Sequence, residues 1–276
     1  MTPENLSLIN QSFSIQASNF DSPTLQFSKA DYLNHVLEAV SPAKSDLVLE
    51  VAAGTAACGR TFSPAVKTVV CLDATLPMLE AGKAAADKSG LTNLIFEKGF
   101  AEDLPFLSRS FDLVMSRLAF HHFSAPVKAF EEMVRVLKPE GRLIMIDMEA
   151  SPEPDRAARD EIERMRDPSH VSNLTKDDME MLFESEGLSI EHSDTVRIEQ
   201  HLESWMGLTR TPPETEKAIR GRMEAELSGG PKTGFAPYRK EDEICFEQRC
   251  IICQNNFRHS FSLTWSGKTC DIRRSL

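Results

Sequence analysis

A chain of 276 residues, 41% of them apolar, is long enough to bury one large core, or one core carrying a smaller cap. Its net charge of −11 opposes a phosphate backbone, whose binding draws on Lys and Arg, so nucleic acid is not expected as a partner. The first thirty residues hold no charged segment followed by an apolar run, and no stretch approaches the ~20 apolar residues of a membrane span; a cytoplasmic protein without an integral membrane segment is expected.

From residue 46 onward short apolar runs alternate with helix-length segments: DLVLEV, TVVCL, NLIF, FDLVMS and RLIMID. Near-continuous apolar strands separated by helices predict a parallel sheet covered on both faces. The segment SAPVKAFEEMVRVLK (124–138) reads as one of the covering helices. Ser124 is its expected N-cap, Pro126 suits the first turn, and Val127, Phe130, Met133, Val134 and Leu137 share one face. Lys138 suits the negative helix end, and Pro139-Glu140-Gly141 turns the chain into RLIMID.

After Asp147 the pattern changes to SPEPDRAARDEIERMRDPSH, rich in charge and proline. A helix in LTKDDMEMLFESEG, a strand in LSIEHSDTVRI, helices within 201–227 broken at Pro212-Pro213, a loop at 228–231 and a last strand near 244–254 complete the expected order. Trp205, Met206, Leu208 and Met223 suit an apolar cap over a ligand, or a homodimer surface. The final stretch carries Arg258, Lys268, Arg273 and Arg274 against Asp271, a basic extension with no evident function.

The six cysteines are read as thiols. Cys250 and Cys253 form a C-x-x-C, but in the strand-like run ICFEQRCIIC positions three apart point to opposite faces, so they do not converge on an ion and no metal site is expected.

Chemistry concentrates where VLEV runs into Ala52-Ala53-Gly54-Thr55-Ala56-Ala57, a turn of small residues at a strand's C-terminal end that lets a ligand approach the backbone. Nineteen residues after Gly54, TVVCL ends in Asp73, whose carboxylate can accept both hydroxyls of a ribose. Dinucleotide dehydrogenases share this pair, but their G-x-G-x-x-G turn admits a pyrophosphate, and here alanines hold its first and last positions. A nucleoside ligand without phosphates is accommodated more easily.

The segments VLEVAAGTAACG, LDATLPMLEAGK, GFAEDLPFLSRSFDLV and SRLAFHHFSAPVKAFEEMVRVLKPEGRLIMID, in this order, resemble the ubiquinone/menaquinone C-methyltransferase-like branch of class I S-adenosylmethionine (SAM) dependent methyltransferases. A weaker likeness continues through RDPSHV and LTKDDMEMLFESEGL. The resemblance implies an α/β Rossmann-like fold, with a mostly parallel seven-stranded sheet, helices on both faces and a small helical cap. It implies a lid segment over 1–30, a SAM-binding core over 31–150, the rest of the sheet with a substrate cap over 151–254, and the basic extension over 255–276.

It further implies methyl transfer from SAM to a small-molecule acceptor, aromatic or apolar, leaving S-adenosylhomocysteine. Glu50, Ala52 and Gly54 are then expected beside the methionine part, Asp73 and Ala74 at the ribose, Met78 on the adenine, and Phe100, Ala101 and Glu102 along its edge. Phe13, Gln16 and Phe20 of FSIQASNF are expected in the lid, and Arg117 near the SAM carboxylate or substrate mouth. Loops after parallel strands face the crevice, which makes His122, then His121, the candidate base, with Arg117 beside them. Arg166, Asp167 and His170 are weaker candidates for the mouth. Glu50 stands where the family usually has Asp, Ala52 and Ala56 replace glycines, and Phe100 replaces an adenine-binding Asp. The same fold could also serve a SAM-binding cyclase or isomerase, or a non-catalytic SAM-binding scaffold.

Overall fold

The computed structural model describes residues 2–17, 20–21, 30–152, 154–255, 265–266 and 269–270. Eight strands form its main sheet: β1 (Leu47–Val51), β2 (Thr68–Asp73), β3 (Leu94–Lys98), β4 (Phe111–Arg117), β5 (Leu137–Met148), β6 (Ile190–His201), β7 (Tyr238–Lys240) and β8 (Glu243–Asn255). Their order is β3-β2-β1-β4-β5-β8-β6, with β7 added along β8. The first five are parallel, and β8 runs antiparallel to β5, β6 and β7. The seven expected strands are present, and β7 is a short addition. The chain walks from β1 to one edge and then returns to place β4 on β1's other side, which opens a crevice at their C-terminal ends.

Strand alternation divides the apolar residues between two layers. Val48, Leu113, Met115, Ile144 and Ile146 pack toward α2 (Ala30–Val40) and α3 (Ala57–Phe62). Leu49, Val51, Val114, Leu143 and Met145 pack toward α5 (Pro126–Val136) and α7 (Lys176–Ser185). Cys250 belongs to the first layer and Cys253 to the second, so the C-x-x-C straddles the sheet as its strand setting predicted.

α5 departs from its expected bounds. Its N-cap is Ala125, which makes no side-chain cap; Pro126 opens it and it stops at Val136. Ala129, Phe130, Met133 and Val136 are buried, whereas Val127 is 53% exposed. Leu137 already pairs with Phe111 on β4, the next pair is Leu113 with Arg142, and the proline turn is a bulge between them. Lys138 pairs with Asp112 instead of the helix end.

A third apolar cluster forms the cap. It joins Ile162 of α6 (Arg156–Arg166), Leu202, Trp205 and Met206 of α8 (Leu202–Leu208), and Ile219 and Met223 of α9 (Pro213–Leu227) to Ile244 and Phe246 of β8. The two helices flank the predicted proline break. Trp205, Met206 and Met223 therefore fill the cap's own core and present no surface to a ligand or a second copy. α1 (Pro3–Gln16) and α4 (Leu76–Lys88) flank the crevice. The basic extension (Arg258, Lys268, Arg273, Arg274) and most of 18–29 lie outside the described residues. Among the described residues no helix is long and apolar enough to cross a membrane.

Candidate functional site

The turn after β1 enters the left-handed region three times, at Ala52 (φ 54°), Gly54 (φ 56°) and Ala56 (φ 56°). Glycine adopts this conformation without penalty; an alanine pays for it with a clash at its Cβ. The folded-back turn turns its amides on the tip of β2. Gly54 N–H donates to Asp73 Oδ2 at 2.7 Å, and Thr75 N–H, at the start of α4, donates to Asp73 Oδ1 at 2.7 Å. Burial raises the Asp73 pKa above the ordinary carboxylate value, and these amide bonds oppose the rise. One carboxylate thus clamps the turn to the helix start and keeps lone pairs for a ligand.

Glu50 lies beneath the same turn, 3% exposed, and accepts the Gly59 N–H of α3 at 2.8 Å. Its pKa is pushed up to about 7 by desolvation, with the Gly59 amide and the positive charges of Arg117 and Arg60 working against that rise. Gly59 is required by packing, since a Cβ there would meet Glu50 Oε2 at 2.7 Å and Cys71 Sγ at 2.8 Å.

The crevice above these residues is a mainly apolar cavity. Glu50, Ala52, Gly54, Asp73 and Ala74 form its floor; Met78 and Ala101 line one side and Arg117 the other. Phe13 and Phe20, with Ile9 of α1, also line it, the two rings 6.2 Å apart. Gln16 does not line it; its amide turns to Asp167 Oδ2 at 3.2 Å. Phe100 is 36% exposed, and neither it nor the buried Glu102 lines the cavity. Leu208, at the end of α8, is the cap residue that reaches it. Ile9, Thr75, Leu118 and Phe123 were not anticipated: each is an ordinary core or loop residue by type, brought to the cavity only by the path of its element; Leu208 is the one of the four expected cap residues that lines it.

Beyond β4, Leu118 takes a positive φ of 54° and throws the chain into a 3-10 turn, Phe120–His122. Its two histidines part ways. His121 Nδ1 lies 2.5 Å from Asp147 Oδ1, and Asp147 also accepts the backbone amides of Ala119, Phe120 and Met148. Asp147, though desolvated, is held below the usual carboxylate range by His121 and these amides. His121 is therefore an anchor of the loop and does not line the cavity.

His122 does line it. Its Nδ1 lies 3.1 Å from Ser169 Oγ, and the Ser169 hydroxyl donates to Asp167 Oδ1 at 2.6 Å. A hydroxyl has one proton, and here the carboxylate takes it, so Nδ1–H must be the donor to Ser169 and the lone pair falls on Nε2. Burial, then the neighbouring His121, drive the His122 pKa well below the ordinary histidine value. The neutral base form is the resting state. Against its own desolvation, Asp167 is held below the usual carboxylate range by the neighbouring His122, by the charge of Arg166 and by hydrogen bonds from Ser169 and Ser12.

Of the other predicted mouth residues, Arg166 stacks on Trp205 with its guanidinium 4.4 Å from the ring centre, and His170 Nε2 bonds Asp160 at 3.0 Å. Both hold the cap together. Ser169, the link between Asp167 and His122, had no signal in the sequence.

A crevice at the switch point of an open α/β sheet, with a carboxylate at the tip of β2, defines a nucleoside-binding Rossmann-like protein. A methyltransferase-domain family matches residues 49–145, which contain that whole floor. The uncharacterized methyltransferase YcgJ of Bacillus subtilis is 32% identical over 197 residues, covering 70% of this chain and 77% of its own; its crystal structure superposes with a TM-score of 0.73 at 30% identity, over 83% of this chain and 98% of that one. Demethylmenaquinone methyltransferase of Renibacterium salmoninarum is 37% identical over 112 residues, 41% of this chain and 45% of that one. The chain belongs to the class I SAM-dependent methyltransferases of the ubiquinone/menaquinone C-methyltransferase-like type, and SAM is its cofactor. The site fits that molecule: a carboxylate for a ribose diol, an apolar slot at Met78 and Ala101 for a base, and a buried acid, Glu50, beside an arginine.

Proposed function

We propose that this methyltransferase acts on a small, largely apolar acceptor whose nucleophile carries a removable proton, with His122 as its general base. The observation that carries the reading is the His122–Ser169–Asp167 chain, which sets a neutral imidazole against the cavity. The apolar residues on the same side, Ile9, Phe13, Phe123 and Leu208, favour an aromatic or apolar acceptor.

SAM, when bound, supplies a methyl group on a sulfonium leaving group, so the chain's task is alignment and proton handling. Asp73 takes the ribose hydroxyls, Met78 and Ala101 the adenine, and Glu50 with Arg117 the ammonium and carboxylate of the amino-acid end. Phe13 and Phe20 exclude water above the reacting atoms. Nε2 of His122 removes the acceptor's proton, and the imidazolium that results is stabilised through Ser169 by Asp167.

The reading is tested by S-adenosylhomocysteine formation with a panel of phenolic and enolic acceptors, alongside SAM affinity measured by calorimetry. His122→Gln should retain SAM affinity within about threefold and lower turnover by about 10²-fold or more, the ordinary contribution of a general base. Unchanged turnover in that variant at every pH removes the base. Tight SAM binding with no product from any acceptor class supports the cyclase or scaffold reading instead.

A further inference from the structure

At the far end of the sheet, β6, β7 and β8 bring together side chains that the methyltransferase reaction does not use. His201 pairs with Cys245 across the antiparallel ladder, so both project from one face, and Glu243 shares that face two residues before Cys245. Ile244 and Phe246, on the opposite face, are packed into the cap core, which fixes the side the others must take. His201 Nδ1 lies 2.5 Å from Glu243 Oε2 and 3.6 Å from Cys245 Sγ, and the three ligand atoms all fall within 4.8 Å of one another.

We propose that His201, Glu243 and Cys245 form a binding site for a thiophilic divalent metal ion, zinc by its chemistry, with Glu199 orienting the histidine. A tetrahedral zinc with nitrogen at ~2.05 Å and sulfur at ~2.3 Å sets those two ligands about 3.6 Å apart, the separation already present. The Glu243 carboxylate sits closer than a ligand edge because it now shares a proton with Nδ1; its side chain is 56% exposed and can swing outward. An imidazole, a thiolate and one carboxylate select zinc or a neighbouring transition metal over calcium or magnesium, which prefer oxygen alone. One thiolate and one carboxylate also balance the +2 charge.

A carboxylate that can orient the histidine stands close by. A metal-bound histidine commonly gives its other N–H to a carboxylate, and Glu199 Oε1 stands 3.7 Å from His201 Nε2. Tyr238 OH at 2.8 Å and Lys240 Nζ at 2.6 Å hold Glu199 there. On binding, the metal takes the place of the Nδ1 proton, the tautomer proton moves to Nε2 facing Glu199, and the thiol proton leaves to solvent. The fourth position faces water, since His201 is one-third exposed. Among the described residues the site shares no side chain with the SAM cavity, but His201 is the N-cap of α8, whose last residue, Leu208, lines it. The ion would join β6 to β8 at the root of the cap.

The test uses the full chain, reduced and stripped with a chelator, titrated with Co²⁺ under absorbance and with Zn²⁺ by calorimetry. Expected are one equivalent bound, a thiolate-to-cobalt charge-transfer band in the near ultraviolet with tetrahedral d–d absorption, displacement by Zn²⁺, and a rise in Tm with Zn²⁺. Cys245→Ser should abolish the band. His201→Gln, at a partly exposed side chain, and Glu243→Gln, at an exposed one, should weaken Zn²⁺ by at least tenfold, and Glu199→Gln by about tenfold, with SAM affinity unchanged throughout. Absence of the band, or its persistence at equal affinity in Cys245→Ser or His201→Gln, overturns the site.

Discussion

Ser169 Oγ stands 3.1 Å from His122 Nδ1, and a single hydroxyl proton, committed to Asp167, decides which imidazole nitrogen is basic. The His122 tautomer is thus set by a residue 47 positions along the chain. Ser169→Ala removes that constraint while leaving the imidazole against the cavity. Turnover should fall by about tenfold, with SAM affinity unchanged, and Ser169→Thr, which keeps the hydroxyl, should restore most of it. A loss in Ser169→Ala that appears only as weaker SAM binding would assign Ser169 to the fold alone.

The same carboxylate also receives the lid. Asp167 Oδ1 accepts the Ser12 hydroxyl at 2.8 Å and Oδ2 the Gln16 amide at 3.2 Å, and the Asn5 amide reaches the His122 carbonyl at 3.3 Å. The α1 helix is therefore latched onto the carboxylate that, through Ser169, orients the His122 imidazole. A hydrogen bond to a charged partner contributes ~1.5–3 kcal/mol. Ser12→Ala with Gln16→Ala should accordingly speed SAM dissociation by tenfold or more, read by stopped-flow fluorescence or competition. Asp167→Asn, which weakens latch and relay together, should lower both kcat and SAM residence time. Equal dissociation rates in wild type and the double variant would show that these bonds do not hold the lid.

Backbone strain at the turn can be relieved at one alanine and not at the other. Ala52 and Ala56 share the same left-handed conformation, which costs an alanine about 1–2 kcal/mol. Ala52 lines the cavity and is only partly buried against the second apolar layer, so Ala52→Gly loses less packing than strain and should stabilise by about 1 kcal/mol, a Tm increase of ~2–4 °C. The Ala56 methyl is fully buried, and removing it forfeits ~0.8 kcal/mol plus a small void. Ala56→Gly should therefore be nearly neutral. Thermal denaturation of both variants, side by side, checks the difference; equal shifts would show that strain is not what distinguishes them.

These details mark what a sequence can and cannot reveal. The parallel strands were legible because burial on both faces forces apolar runs such as FDLVMS, and the floor residues because strand ends and a small-residue turn carry their own punctuation. α6 was not, because its inward face is charged: Arg159, Asp160 and Glu163 are buried, with Arg159 bound to Gln248 and stacked on Phe235. A helical pattern of apolar residues does not exist to be read there. Phe100 was placed at the site from its neighbourhood in the chain, whereas its backbone bridges to Asp103 and leaves the ring at the surface. The pairing of His201 with Cys245 depends on strand register across 44 residues, which no local pattern encodes.

Two buried titratable groups of the site, Glu50 and His122, oppose each other in their dependence on pH. Glu50 ionises near 7 in the folded chain against about 4.5 when unfolded. Between these values the folded state holds the extra proton, so this group's contribution, full below 4.5, is lost as pH rises through 7, a change of about 3 kcal/mol. His122 works in reverse. Its folded pKa lies below the unfolded value of 6.5, so its contribution is full above 6.5 and is lost as pH falls. The contributions of these two groups should consequently largely cancel between pH 5 and 6.5. Urea unfolding of Glu50→Gln should show stability rising with pH across that interval, and of His122→Gln stability falling with it, each by up to ~1.4 kcal/mol per pH unit. Cofactor binding reads out the same proton. A cationic ammonium beside Glu50 favours the carboxylate, so near pH 6.5 SAM binding should release a fraction of a proton and tighten as pH rises. Calorimetry in buffers of different ionisation enthalpy measures that release, and Glu50→Gln should abolish it; proton release undiminished in the variant would place the titrating group elsewhere.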